Sequence, residues 1–114
     1  MTDTGEDRKR AAHRALVERV LNGEGKASAQ QRAHAFGNDG LSPPSLDALI
    51  GKVVDRSAQI TDADVVAAKA SGCTEDQLFE LVVCAAVGRS TRLYEAGLTA
   101  LAEATSEERT DRAT

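Results

Sequence analysis

The residues best placed to do chemistry gather in one stretch, "GCTEDQLFELVVCAAVGRSTRLY", residues 72–94. Here Glu80 alone interrupts an apolar run that contains Cys84, and Arg89, Arg92 and Tyr94 follow. A carboxylate among aliphatic side chains must find a partner or take up a proton. Paired with Arg56, Arg89 or Arg92, or set against a helix cap in an adjacent loop, Glu80 is structural. With a raised pKa it is a general acid or base, and Arg89, Arg92 and Tyr94 are the remaining candidate catalytic residues. Cys84 lacks what activates a thiol: it is midway along an apolar helix, and its neighbour one turn back, Glu80, raises a thiol pKa. Its expected role is packing.

Cys73 belongs to a different pattern. Ile60-Thr61-Asp-Ala-Asp64-Val65 and Cys73-Thr74-Glu-Asp-Gln77-Leu78 share one arrangement, an apolar residue, a Thr cap, an acid or amide three residues on, then an apolar residue. Each is a capping box with a hydrophobic staple, so Cys73 is expected to pack against Leu78. A disulfide between Cys73 and Cys84 is excluded within one chain, because about ten residues of helix separate them by roughly 15 Å. Free thiols suit a reducing, cytoplasmic setting. His13 and His34 have no second ligand at metal spacing and are expected at the edge of the core, with no metal or cofactor. "RKR" at 8–10 reads as a solvated helix face, and "GEGK" at 23–26 lacks the spacing of a phosphate loop.

These residues must be positioned by helices, since no segment alternates as a strand does. The chain of 114 residues is one domain's worth, 41% hydrophobic and only 3% aromatic, so its core is expected to be Ala, Leu and Val. A net charge of −4 gives no positive field for nucleic acid. No run is long enough to cross a bilayer, and the polar "MTDTGEDRKR" start has no signal-peptide core. Helices are expected over "EDRKRAAHRALVERVLNG", briefly after Ser28, over "SLDALIGKVVDRSA" behind Ser42 or Ser45, from Thr61 to Gly72, and from Thr74 towards Ala104, with a kink or break at Gly88. The single domain is expected over residues 7–105, with disordered tails at 1–6 and 106–114. Residues 78–87 are apolar on nearly every side, and a chain this short has little with which to surround them, so burial by neighbouring subunits is expected.

"VVDRSAQITDADVVAAKASGCTEDQLFELVVCAAVG" followed by "RLYEAGLTAL" resembles the carboxymuconolactone decarboxylase and alkylhydroperoxidase D superfamily, and most nearly its small actinobacterial branch. The resemblance implies an all-helical fold of about five helices whose protomers interlock as trimers, or as hexamers made from them. Its peroxidase members carry a C-x-x-C-x-x-x-H motif. Counted back from Gly72, those positions hold Ser57, Ile60 and Asp64, which supply neither the attacking thiolate, the resolving thiol nor the proton relay. Thiol-peroxidase activity is therefore not expected. Two functions fit the remainder: a non-catalytic assembly or binding component, homo-oligomeric or paired with a related subunit, or a cofactor-independent decarboxylase or isomerase using Glu80.

Overall fold

The computed structural model describes residues 4–113, with the side chains of 108–113 outside the description, and these residues are all-helical. Five α-helices run in the order α1 Gly5–Asn22, α2 Ala29–Gly37, α3 Pro44–Asp55, α4 Asp62–Ala70 and α5 Glu75–Ala113, with a short 3₁₀ turn at Ser57–Gln59 between α3 and α4. α5 is the spine on which the others lie. α2 makes the most extensive contact with it, and α3 and α1 follow. The core is made from the buried faces of α3 (Leu46, Leu49, Ile50, Val54) and α5 (Leu78, Leu81, Cys84, Ala85), closed by Ala35 of α2 and Ala68 of α4.

Local chemistry sets the helix starts. Thr61 accepts from the Asp64 N–H while Asp64 accepts from the Thr61 N–H, and Thr74 and Gln77 do the same at the head of α5. Ile60, Val65 and Cys73 pack on the core beside Leu78, as the two staples require. Ser28 and Gln31 form a third capping box, and Thr4 caps α1 by accepting from Asp7. α3 departs from expectation: neither Ser42 nor Ser45 caps it. The helix opens at Pro44, whose missing N–H leaves one fewer donor to satisfy.

Gly88 does not break the chain into two helices. α5 continues through it, and the glycine serves contact instead: a Cβ there would lie 2.0 Å from the Phe36 carbonyl oxygen and 2.9 Å from its Cα. Only a hydrogen lets the end of α2 seat on α5. Helix also occupies residues 5–6 and 106–113, where tails were expected; the expected tail residues 1–3 and 114 lie outside the described residues.

The chain also surrounds more of residues 78–87 than expected. Leu78, Leu81, Cys84 and Ala85 are buried by the chain's own α1 to α4, while Phe79 stays 70% exposed. Beyond Arg92, whose guanidinium still reaches the Phe36 carbonyl of α2, the distal part of α5 runs clear of the buried core beside α1, and α1 has no fully buried residue. The molecule is consequently long, 63 × 31 × 20 Å, with a radius of gyration of 18.2 Å, against about 13 Å for a compact chain of this length. Gly88→Ala is expected to lower the unfolding free energy by about 2–3 kcal/mol through overpacking against backbone. Gly51→Ala, inside α3 with open space at its Cβ, is expected to raise it by about 0.8 kcal/mol through helix propensity. Urea denaturation of both variants measures the contrast.

Candidate functional site

Glu80 points from the first turns of α5 at the loop joining α1 to α2, and the loop is wrapped around it. The Lys26 N–H lies 2.7 and 2.9 Å from its two carboxylate oxygens, and the Ala27 N–H donates at 2.6 Å. The loop's carbonyls face a cation in turn. Arg32 of α2 donates from Nε to the Ala27 carbonyl at 3.1 Å and from Nη1 to the Gly23 carbonyl at 2.5 Å. Gln77, one turn before Glu80, adds a long contact of 3.4 Å to the Lys26 carbonyl.

One loop of "GEGKA" thus gives its N–H groups to an anion on α5 and its C=O groups to a cation on α2. Gly25 lies against both ends of this pair: a Cβ there would fall 2.3 Å from Glu80 Oε1 and 2.6 Å from Arg32 Nη2, so a side chain at this position would displace one or both of them. Arg32 is only 6% exposed, a desolvated charge tolerated because carbonyl dipoles and the nearby carboxylate compensate it.

Burial alone would push the Glu80 pKa up, but the N–H groups of Ala27 and Lys26 and the charges of Arg32 and Lys26 outweigh it and hold the carboxyl below the ordinary glutamate range. An acid so held stays ionised at neutral pH. The Cys84 thiol is pushed up, by burial first, with Arg32 opposing and Glu80 adding. It donates to the Val20 carbonyl at 3.1 Å and is 1% exposed, so it packs and tethers α1 to α5. Cys73 is likewise raised by burial, and both thiols are free.

The remaining candidates serve other helix ends. Arg89 donates to the Val54 carbonyl and lies 3.6 Å from Asp55, closing the C-terminus of α3. Arg92 donates to the Phe36 carbonyl at 2.6 Å, closing α2. Arg56 is exposed at the end of α3. None of these three is Glu80's partner; that place falls to the loop and Arg32. Tyr94 stacks at 5.1 Å on His13, whose Nε2 is 3.0 Å from the Thr91 hydroxyl. Because Thr91 gives its proton to the Val87 carbonyl, His13 is the donor there. Fourteen residues of helix put Tyr94 about 21 Å along α5 from Glu80, so the four proposed catalytic residues do not converge.

The three positions of the absent redox motif have local work of their own. Ser57 opens the 3₁₀ turn, Ile60 packs on the core, and Asp64 joins its capping box to Lys52 at 2.8 Å. That lysine, first, and the Thr61 N–H lower the Asp64 pKa.

Beside Glu80 a groove of about 660 Å³ opens between α1 and α5, with Leu16, Val20, Phe79 and Val83 as its apolar walls and Arg19, Arg32 and Glu24 at its polar edge. Among the described residues no three His, Cys, Asp or Glu side chains gather to hold a metal, and no helix is long and apolar enough to cross a membrane. Compared with protein-family models, curated proteins and solved structures, the chain matches none.

Sequence reasoning missed Arg32, Gln77 and Gly25. Their one visible signal was a lone carboxylate in an apolar run, which announces that a partner exists without saying where. Glu80→Gln is expected to cost about 1.5–3 kcal/mol at neutral pH, as loss of charge-assisted bonds does. A depressed carboxylate pKa stabilises the fold above the unfolded value near 4.3, and that stability is lost as pH falls through the folded pKa. The difference between wild type and Glu80→Gln should therefore be constant from neutral pH down to about 5 and close below 4.3, as read by urea midpoints across pH.

Proposed function

We propose that this protein is a non-catalytic assembly or binding component with a carboxymuconolactone decarboxylase-like helical fold, cytoplasmic and working as a trimer or a hexamer, alone or with a related subunit. One observation carries the reading: the polar groups that could have formed a catalytic centre are spent on backbone. Glu80 holds the loop N–H groups, while Arg89 and Arg92 close helix C-termini. α5 also leaves large apolar side chains exposed. Phe79, Leu93 and Leu101 of α5 are 60% exposed or more, and each large side chain left in water forgoes about 1.5–3 kcal/mol.

The groove beside Glu80 favours a second reading, a cofactor-independent decarboxylase or isomerase. A general acid needs a proton at neutral pH, and the lowered pKa of Glu80 deprives it of one; only the base role is open to it.

Sedimentation equilibrium at micromolar concentration is expected to give a multiple of the 12.0 kDa chain, with no turnover of hydroperoxide or of a carboxylated lactone. A folded monomer overturns the assembly reading. Lactone turnover that disappears in Glu80→Gln establishes the second reading in its place.

A further inference from the structure

One line of residues along α5 forms a seam. Stepping by four and three residues from Phe79 to Ala104, every position is uncharged, and each is exposed apart from the half-buried Val83. This is a 3.5-residue repeat sustained for nearly four heptads, and such a repeat fits a second supercoiled helix of the same period. The chain's own α1 does not fill it. α1 lies along a different face of α5, where Val20 meets Cys84, His13 meets Thr91, and Glu6 and Arg10 flank Leu98.

We infer that the seam is occupied by α5 of a second copy of this chain, running antiparallel about a two-fold axis between Thr91 and Arg92. The inference rests on the assembly reading and names its contact. Read antiparallel about that centre, the sequence is self-complementary in size: Phe79 faces Ala104, Val83 faces Ala100, Ala86 faces Gly97, and Ser90 faces Leu93. Each large side chain meets a small one, as interdigitation requires. A parallel, in-register pair would instead set Phe79 on Phe79 and Gly97 on Gly97, bulge on bulge and gap on gap.

Charge agrees with size. Beside the antiparallel seam Arg89 faces Ala96, Glu103 faces Val82, and Glu80, already held by its own loop, faces Leu101, so no like charges oppose. Leu101 of the second copy then reaches over the groove walled by Leu16, Phe79 and Val83, covering the apolar surface left open there. Within the assembly reading, two-fold pairing selects a hexamer over a lone trimer.

The test is directed disulfide formation between two differently tagged, co-expressed chains, one Ala86→Cys and the other Gly97→Cys. Both sites are exposed, and a side chain at Gly97 meets nothing in its own chain. Under mild oxidation the mixed link between residues 86 and 97 is expected to form at least tenfold faster than either same-site link, and faster than links through Thr99→Cys on another face of the helix. Peptide mass spectrometry separates these links from any made by Cys73. In a second arm, Leu93→Glu and Ser90→Lys each weaken assembly alone and restore it when co-expressed. Dominant same-site links, mixed links no faster than the Thr99→Cys control, or no rescue overturn the seam. If the protein remains oligomeric in those cases, or is a lone trimer, the assembly reading survives the seam's failure; a monomeric wild type ends both.

Discussion

The carboxylate of Glu80 and the loop folded over it tie three helices together at one point. α1 ends at the loop, α2 begins after it, and α5 supplies the anion. An irregular loop against a helical core carries N–H and C=O groups that the helices cannot satisfy, and each left unpaired costs more than a typical hydrogen bond gains. Here opposite charges on two helices meet the two kinds of orphan. The arrangement is asymmetric in its tolerance: removing either charge strands the other in a half-dry site, so Arg32 and Glu80 are coupled although their main partners are backbone.

From that anchor the rest of α5 works as a spine with two regimes. Its first half is buried inward and accepts α2 at close approach over Gly88, with α1 joined to it through Cys84–Val20 and His13–Thr91. Beyond Arg92, which reaches back to the Phe36 carbonyl, its exposed second half runs beside α1, as at Tyr94 and His13. The buried residues of α5 and the positions of the proposed seam lie on different faces of the helix, so a seam variant is expected to leave the buried core in place.

What was legible in the sequence was what short-range chemistry decides. The all-helical class, the capping boxes at Thr61 and Thr74, the staple role of Cys73 and the packing of Cys84 all follow from neighbours within one or two turns. α2 was nearly invisible, because "AQQRAHAFG" buries an alanine and an arginine rather than a row of aliphatics, and no apolar period marks it. Gly88 read as a weakness in the helix because propensity is local, whereas its reason is the Phe36 backbone across the interface. Arg89 and Arg92 were visible as charges near Glu80 in sequence, yet long side chains on one helix reach in different directions, and theirs end on the carbonyls of α3 and α2. The partner of Glu80 lay more than fifty residues upstream, in a "GEGK" loop that carried no motif to mark it.

Glu80 is an ionised structural anion clasped by the loop. A carbon-13 NMR titration of its side-chain carboxyl, followed together with the amide resonances of Lys26 and Ala27, should give a midpoint below the ordinary glutamate value near 4.3, with both amides shifted downfield at neutral pH and moving upfield at the same midpoint. A carboxyl that titrates at or above that value, or one whose titration leaves the Lys26 and Ala27 amides unmoved, would contradict this role.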